Sequence, residues 1–258
     1  MADRLHQISS RLRYLVQAQT KIRLHSPFVF AFYRDVLDDR RQFYAFPKIQ
    51  TEHKSLLQSA ERIQTTDFGT GESGKTRSVS SIARHAAASP RLGRLLFRIV
   101  EYFGPEYILE LGTSVGIGTR YLAAPKRHKQ LITLEGDPAV AAIARKGLAD
   151  YPNVELIEGP FNNTLEGALQ KIPRLDFLWL DGDHSYEATV RNFESCLQKA
   201  HEDSCLAIDD IYWSRDMTRA WEAIKQHPSV RLSIDLNRFG MVFLRTANRE
   251  KEHFTLRW

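Results

Sequence analysis

The sequence predicts an α/β protein in which a doubly wound parallel sheet, within residues 91–258, follows a helical appendage of residues 1–90. From residue 107 onward, short apolar runs alternate with segments of helical periodicity, as in consecutive βαβ units. Before that point, apolar residues recur only at helical spacing. The last two apolar runs are too close together for a helical crossover, so we expect the final strand pair to be antiparallel.

Helices are expected throughout the first hundred residues. Ser26-Pro27 and Ser89-Pro90 each combine an N-cap residue with proline at the first helical position. Another helix is expected to begin near Thr51. A first helix near the N-terminus is predicted by apolar residues at helical spacing: Leu5, Ile8, Leu12, Leu15 and Val16.

Seven strands are expected after residue 106. Their apolar runs are YILEL (107–111), LITLE (131–135), VELIE (154–158), LDFLWL (175–180), CLAID (205–209), VRLSID (230–235) and MVFLR (241–245). Helices are expected between them near residues 117–124, 138–149, 162–171, 186–200 and 215–226.

Composition indicates a globular chain of 258 residues, 43% of them hydrophobic and 26% charged. No apolar run reaches the roughly 18 residues of a membrane span, so no membrane partner is predicted. The N-terminus has no signal-peptide pattern. Two isolated cysteines, Cys196 and Cys205, suit a reducing compartment. We therefore expect a cytoplasmic protein.

The net charge of +5 is unevenly distributed along the chain. Residues 1–100 contain 17 Lys and Arg against 8 Asp and Glu, whereas the remainder contains 19 against 23. The basic residues are scattered and form no motif that reads nucleic acid. A solvated helical surface is therefore the preferred interpretation, and a nucleic-acid partner is not expected.

The stretch GTGESGKT, residues 69–76, has the spacing of a phosphate-binding P-loop. A P-loop joins a buried strand to a helix N-terminus, and the residues before Gly69 are too polar for a core strand. The alternative function that this match supports is an NTPase or kinase using Gly69–Thr76. We favour a flexible linker that folds over a neighbouring cleft, with Lys75 or Arg77 meeting an acidic acceptor.

A second glycine-rich turn lies in ILELGTSVGIGTRYLA, residues 108–123, between an apolar strand and a helix. Its spacing, GxxxGxG, does not require a pyrophosphate, and Glu110 would repel one. The next strand ends in Glu135, where an acidic group can accept hydrogen bonds from ribose hydroxyls. A cationic nucleoside ligand without phosphate fits these features best.

Over residues 105 to about 245 the chain resembles class I S-adenosylmethionine (SAM)-dependent methyltransferases. ELGTSVG is similar to the first motif of that family, and LEGDP, with Glu135, is similar to its acidic second motif. The resemblance implies a Rossmann-like, seven-stranded sheet of order 3-2-1-4-5-7-6 with an antiparallel last strand. It also implies SAM-binding residues: Glu110, Gly112, Thr113, Ser114, Gly116, Glu135, Gly136, Gly159, Pro160, Phe161 and Asp181.

Carboxylates follow the fourth and fifth expected strands, in LDGDHSYEAT (180–189) and AIDDIYW (207–213). Adjacent strands lie about 4.8 Å apart, so Asp181, Asp209 and Asp210 are expected to converge and to require a divalent cation such as Mg²⁺. These segments resemble the sugar and antibiotic branch of metal-dependent O-methyltransferases. That resemblance gives the three aspartates metal-ligand positions and gives Asp183 the general-base position.

Other roles remain open for these residues and their neighbours. Asp183 with Ser185 would cap the following helix, and Asp209-Asp210 would cap the one after, where Ser214 already offers a cap. His184 is either the proton acceptor or a structural hydrogen-bonding residue. Tyr212 and Trp213 either stack on a ring-shaped substrate or pack in the core, and Trp179 is expected in the core.

The function predicted from the sequence is metal-assisted O-methylation of a small hydroxylated acceptor. A cofactor-binding protein without transferase activity is the third possibility, after the methyltransferase and the NTPase. The sequence does not identify the acceptor. A homodimer through the N-terminal helices is consistent with the aromatic segment LHSPFVFAFY, residues 24–33.

Overall fold

The computed structural model describes residues 2–66, 73–247 and 250–258. The chain packs as two compact units. We call residues Asp39–Ile172 the central unit. We call Met1–Asp38 together with Pro173–Trp258 the terminal unit. Each unit is a set of residues that pack mainly on one another. The predicted division into an appendage of residues 1–90 and a domain of residues 91–258 stays a prediction.

The described residues form helices and strands close to those expected. The α-helices are α1 (Ala2–Gln17), α2 (Pro27–Phe32), α3 (Ala45–Leu57), α4 (Val79–His85), α5 (Pro90–Phe103), α6 (Ile117–Ala123), α7 (Pro138–Gly147), α8 (Phe161–Gln170), α9 (Tyr186–Leu197) and α10 (Arg215–Gln226). The strands are β1 (Arg62–Thr66), β2 (Ser73–Ser78), β3 (Tyr107–Leu111), β4 (Gln130–Glu135), β5 (Val154–Glu158), β6 (Leu175–Leu180), β7 (Ala200–Ile208), β8 (Leu232–Asp235), β9 (Gly240–Phe243) and β10 (Glu252–Thr255).

In the central unit, β3, β4 and β5 lie side by side and are all parallel, with β4 in the middle. Strand β3 is almost entirely buried, as expected for a strand that helices cover on both faces. An aromatic cluster of Phe46, Phe97 and Tyr121 forms part of the core that α3, α5 and α6 share. The order β5-β4-β3 matches the 3-2-1 segment of the predicted sheet.

The residues on both sides of Gly69, within and before the predicted flexible linker, form an antiparallel hairpin of β1 and β2. Its first strand is fixed to the main body of the central unit because the Thr66 amide donates to Asp137 Oδ2 at 2.5 Å. Asp137 also caps α7 by accepting from the amides of Ala139 and Val140. The linker prediction for residues 67–76 is therefore wrong for residues 73–76, which belong to strand β2. Gly69 and the rest of 67–72 lie outside the described residues.

In the terminal unit the strand order is β10-β8-β9-β7-β6. Strand β9 is antiparallel to both β7 and β8, whereas the pairs β6–β7 and β8–β10 are parallel. The order β6-β7-β9-β8 matches the predicted 4-5-7-6 segment, and the antiparallel last strand of that prediction is confirmed. Strand β10 is an addition that the sequence did not reveal, because its residues EHFT carry no apolar run.

The core of the terminal unit is aromatic. Trp179 and Phe239 are buried and meet edge to face, with ring centroids 5.2 Å apart. Trp221 on α10 occupies the space beside Gly240, where a Cβ would lie 2.4 Å from the indole ring. The prediction that Trp179 belongs to the core is confirmed. Together the two units give the Rossmann-like α/β fold class expected from the sequence.

Candidate functional site

The glycine-rich turn after β3 adopts backbone angles that its sequence permits. Gly112 and Gly116 have φ values of +102° and +78°, in the region that favours glycine. Ser114, between them, has φ of +49°, which is uncommon for a residue with a Cβ. The amides of Gly112 and Thr113 donate to the Leu134 carbonyl at 3.0 and 3.1 Å. The loop is thereby fixed to the end of β4.

Glu135, at the end of β4, is bonded to this loop. Its Oε2 accepts from the Ser114 amide at 2.8 Å, and its Oε1 accepts from the Asp137 amide at 3.0 Å. The residue is only partly buried, so lone pairs remain for a hydroxyl donor. Burial raises the pKa of the Glu135 carboxyl, and the two backbone amides oppose that rise. Glu135 is thus held by two backbone amides and keeps capacity to accept further hydrogen bonds.

Glu110 is placed differently from the other predicted cofactor residues. It is 1% exposed, and its Oε2 accepts from the hydroxyls of Thr119 and Thr133 at 2.5 and 2.6 Å. Burial raises the pKa of Glu110 to about 7. Thr113 is also buried, with its hydroxyl 2.5 Å from that of Thr133. These side chains form a hydrogen-bonded network inside the central unit, which leaves the loop's backbone as the surface available to a ligand.

The third predicted contact segment lies where β5 leads into α8. Gly159 has φ of +134°, which a residue with a side chain rarely adopts, and its amide donates to the Glu135 carbonyl at 2.9 Å. Pro160 and Phe161 follow at the start of α8 and are partly exposed, as is Gly136. The structure therefore joins Gly159 to Glu135 through the backbone, and a binding site shared by these residues stays a prediction.

One polar atom in the loop has no partner. Ser114 Oγ is buried and makes no hydrogen bond to any described residue. A buried hydroxyl without a partner is costly in a folded protein. Its position between two glycines with positive φ, next to the amide held by Glu135, is where a polar ligand would satisfy it. The residues present therefore fit an adenosine-type cofactor.

The acidic group forms in the terminal unit, after β6 and β7. Asp181, His184 and Asp210 each offer one possible ligand atom, and these three atoms lie within 4.8 Å of one another. His184 Nε2 and Asp210 Oδ2 are 3.9 Å apart. Asp183 and Asp210 have φ values of +52° and +53°, and left-handed backbone outside glycine is concentrated at functional sites. The structure brings together two of the three predicted metal ligands and adds His184.

Asp209, the third predicted ligand, has another partner. It is fully buried, and Arg238 donates to both of its carboxylate oxygens, with Nη2 to Oδ2 at 2.9 Å and Nε to Oδ1 at 3.2 Å. Burial raises the pKa of Asp209. The neighbouring Asp210 adds to that rise, and Arg238 opposes it. The pKa of Arg238 lies above its usual range because of this pairing. Sequence reasoning missed Arg238, which lies in the turn between β8 and β9.

The capping alternatives are resolved by two serines. Ser185 caps α9 by accepting from the Ala188 amide at 3.3 Å, and Ser214 caps α10 by accepting from the Met217 amide at 3.1 Å. Asp183 is exposed and accepts from the Ser185 hydroxyl at 3.2 Å. The Asp183 carboxylate and the Asp209-Asp210 pair are therefore not the capping groups of these helices.

Tyr212 and Trp213 have separate environments. The Tyr212 hydroxyl donates to Asp235. Burial raises the pKa of both groups; the nearby Asp235 adds to the rise at Tyr212, whereas the hydrogen bond from Tyr212 opposes the rise at Asp235. Trp213 is 55% exposed and remains available to a ligand. Asp235, the partner of Tyr212, was not singled out from the sequence.

The P-loop match does not form a P-loop where it is described. Gly74, Lys75 and Thr76 lie within strand β2, where the Thr76 hydroxyl accepts from Gln64 and the Lys75 carbonyl accepts from Thr65. A nucleotide-binding lysine and threonine would stand at a helix N-terminus, and α4 begins three residues beyond Thr76. These contacts argue against the NTPase interpretation.

Part of the chain matches known methyltransferases. Residues 109–211 match the family model described as a methyltransferase domain. A stretch of 75 residues is 41% identical to the transmembrane O-methyltransferase of Homo sapiens, covering 27% of this chain and 26% of that protein. The chain therefore spans about a quarter of the length of the curated relatives it matches.

Solved structures share the fold over most of the chain. An O-methyltransferase from Bacillus cereus in complex with SAH, the demethylated product of SAM, has a TM-score of 0.58 at 18% identity. The match covers 84% of this chain and 97% of that one. The O-methyltransferase of Streptomyces achromogenes involved in tomaymycin synthesis, in complex with SAM, has a TM-score of 0.57 at 16% identity. That match covers 80% of this chain and 91% of the other. The chain thus shares the fold of these O-methyltransferases, and its residues 109–211 match a methyltransferase-domain family model.

Proposed function

We propose that this chain, whose residues 109–211 match the methyltransferase domain, is a SAM-dependent O-methyltransferase that acts on a small hydroxylated acceptor with the help of a divalent cation. The single observation that supports cofactor binding most strongly is the fixation of the glycine loop by Glu135. This contact would place a partly exposed carboxylate and the loop's backbone beside one ligand.

Residues of the central unit would hold the cofactor. When bound, SAM supplies a methyl group on a positively charged sulfur. Glu135 would accept hydrogen bonds from the ribose hydroxyls, and Ser114 Oγ would gain the partner that it lacks. The backbone of Gly112 would allow close approach, because this residue has no Cβ. At Gly116 a Cβ would lie 3.4 Å from Ala144, and its positive φ sets the course of the loop. Segment 159–161 would contact the adenine.

Residues of the terminal unit would act on the acceptor. Asp181, His184 and Asp210 offer two carboxylate oxygens and one imidazole nitrogen, a donor set that suits a divalent cation such as Mn²⁺ or Mg²⁺. When bound, such a cation lowers the pKa of a coordinated hydroxyl. Asp209 would not serve as a ligand in this arrangement, because Arg238 occupies both of its oxygens.

The proton of the acceptor hydroxyl would go to Asp183. His184 is the other predicted base, but an imidazole that holds a cation through Nε2 is no longer free to take a proton at that atom. Asp183 is exposed, and among the described residues its carboxylate accepts only a weak hydrogen bond from the Ser185 hydroxyl at 3.2 Å. This assignment gives the two residues different roles: Asp183 accepts the proton, and His184 helps to hold the cation.

Calorimetry with SAH, and separately with ATP and Mg²⁺, tests the proposed cofactor. We expect SAH to bind at one site and ATP to show no saturable binding. A Glu135→Ala variant should weaken SAH binding by about tenfold or more, because it removes a charged hydrogen-bond acceptor. Binding of ATP without binding of SAH would refute the proposal.

Manganese binding tests the acidic group without requiring a known acceptor. Electron paramagnetic resonance of added Mn²⁺ should show loss of the free-ion signal with the wild-type protein. Asp181→Asn and Asp210→Asn should restore the free signal. Asp209→Asn is the matched control and should leave Mn²⁺ binding in place. Equal loss of binding in all three variants would restore the originally predicted ligand set.

The proposal also covers the cellular setting and self-association of the chain. We propose a cytoplasmic setting, supported by the two cysteines, which are buried and unpaired, with pKa values raised by burial. Self-association through the N-terminal helices stays a prediction.

A further inference from the structure

The N-terminal helix α1 turns its apolar side away from the unit in which it packs. Five large apolar side chains along one stripe are more than half exposed: Leu5 (65%), Ile8 (58%), Leu12 (60%), Leu15 (55%) and Val16 (87%). Surface helices of globular proteins normally present this stripe to the core. We call these five residues the α1 stripe.

The opposite side of α1 holds the helix in place through polar groups. The Tyr14 hydroxyl donates to the Leu256 carbonyl at 2.7 Å, and His6 Nε2 lies 2.8 Å from the Thr218 hydroxyl. The Gln7 amide donates to the Trp213 carbonyl at 2.7 Å. Tyr14 and Ser10 are buried on this side. The helix is therefore docked by its polar face, and the exposure of the stripe is a feature of the packed unit.

The stripe is bordered by arginines. At about 100° per residue, Arg4 and Arg11 lie along one edge of the stripe and Arg13 along the other. All three are exposed, and none forms a salt bridge with a described residue. Among the described side chains of α1 itself, residues 4–17, none is a carboxylate. An apolar band with positive charge on both edges is complementary to a surface that is apolar inside and negative at its boundary.

We infer that α1 is an interfacial helix that places the α1 stripe into an anionic lipid surface, with Arg4, Arg11 and Arg13 at the level of the phosphate headgroups. Within the described residues no helix is long and apolar enough to cross a bilayer. An interfacial helix needs only one apolar face, which α1 has. The sequence-based expectation of no membrane partner considered spanning segments alone and did not address this mode of binding.

A second copy of the chain fits the stripe less well. The five residues expose about 500 Å² of mainly apolar surface, which is within the range of the largest patches on soluble proteins. Two such stripes would bury about 1,000 Å² in total, below the usual range of stable interfaces. Pairing would also bring two sets of three arginines together with no acidic partner at the stripe's edges. A lipid surface meets neither difficulty.

Vesicle flotation tests this inference with the full chain. Large unilamellar vesicles of phosphatidylcholine alone are compared with vesicles containing one part phosphatidylglycerol to three parts phosphatidylcholine. We expect the protein to float with the mixed vesicles and to remain free with phosphatidylcholine alone. Raising the salt concentration should reduce binding, because the arginine contribution is electrostatic.

Variants separate the stripe from the rest of the surface. Ile8→Gln/Leu12→Gln should lower the partition coefficient by about tenfold or more, and Arg4→Gln/Arg11→Gln should remove the preference for anionic vesicles. Ser9→Gln is the matched control, since it places the same side chain on the same helix without removing apolar surface. Because the replaced residues are exposed, circular dichroism and thermal unfolding should be unchanged in every variant.

Two measurements would overturn the inference. One is flotation that fails for the wild type or is equal for the wild type and Ile8→Gln/Leu12→Gln. The other comes from sedimentation equilibrium without lipid: a wild-type dimer that becomes a monomer in Ile8→Gln/Leu12→Gln would show that a second copy covers the stripe. SAH binding is measured in parallel, and its retention in the stripe variants keeps this test separate from that of the proposed function.

Discussion

Two carboxyl side chains, Glu110 and Asp209, are buried close to the residues of the candidate site. Glu110 and Asp209 are both fully enclosed, and their surroundings differ in kind. Neutral threonine hydroxyls surround Glu110, whereas a guanidinium neutralises Asp209. Burial raises the pKa of both carboxyls, but removing the charge of Glu110 and removing the partner of Asp209 should have opposite effects on stability.

Glu110 should make the protein less stable as pH rises from about 4.5 to about 7. Its pKa in the folded state is raised to about 7 from 4.5, so the folded state binds more protons than the unfolded state between these values. The free energy of unfolding then falls with rising pH in that window. Glu110→Gln should flatten this dependence and be more stable than the wild type above pH 7, by about 1–3 kcal/mol. Urea unfolding at a series of pH values measures both effects.

A Glu110→Gln protein that is less stable than the wild type throughout this pH range would contradict that prediction. It would mean that the two threonine hydroxyls stabilise an ionised carboxylate at neutral pH. Thr133→Val provides the control, because it removes one of the two donors and should raise the pKa of Glu110 further.

Arg238→Gln should destabilise the protein by about 3–5 kcal/mol, because it leaves the carboxylate of Asp209 buried without its partner. The double variant Asp209→Asn/Arg238→Gln should recover a large part of this loss. Chemical unfolding of both single variants and the double variant gives the coupling energy. Additive losses in the double variant would show that the pair is not an energetic unit.

At the scale of elements, two helical glycines that look alike in sequence have opposite expected effects. Gly93 on α5 lies against Tyr121 of α6, where an added Cβ would be 2.2 Å from the ring. Gly167 on α8 has open space around the position of a Cβ. The packing of α5 on α6 depends on the first glycine, whereas the second only weakens its own helix.

Gly93→Ala should therefore lower the free energy of unfolding by about 1–3 kcal/mol, because the buried Tyr121 ring must move. Gly167→Ala should raise it by about 0.5–1 kcal/mol through helix propensity. Thermal unfolding of the two variants beside the wild type makes the comparison. A stabilised Gly93→Ala protein would show that α5 and α6 can separate without loss.

The sequence predicted those elements whose signal is periodic and apolar. Strands β3, β5 and β6 begin and end where their apolar runs do. The hairpin of β1 and β2 was missed because its residues are polar and its pairing is local. Helix α1 was predicted from Leu5, Ile8 and Leu12, but the periodicity of apolar residues does not say what covers them, and in the structure they are exposed.

The candidate site shows the same limit. Motif order placed Glu135, Asp181 and Asp210 correctly at strand ends, because strand ends follow from apolar runs. Arg238 was not predicted as a partner of Asp209, because the two residues are 29 positions apart and meet only through the pairing of β7 with β9. Side-chain partners that depend on sheet register lie beyond what one sequence determines.

At the scale of the whole molecule, the two proposed ligands should act on different units. All predicted SAM-contacting residues except Asp181 lie in the central unit, and the proposed cation ligands lie in the terminal unit. Hydrogen exchange measured by mass spectrometry resolves this division. SAH should slow exchange in peptides that cover residues 109–118 and 133–140, and Mn²⁺ alone should slow exchange in peptides 180–186 and 208–213.

The expected size of the slowing follows from linkage. Where exchange requires opening of the ligand-free state, a ligand at 100 times its Kd slows it by about 100-fold. Glu135→Ala should abolish the slowing caused by SAH and keep that caused by Mn²⁺. Asp181→Asn should abolish the slowing caused by Mn²⁺ and keep that caused by SAH. ATP with Mg²⁺ should leave peptides that cover Gly74–Ser78 unchanged, because that segment is a hairpin strand. Protection of that strand by ATP, with none by SAH at residues 109–118, would reassign the protein to nucleotide binding.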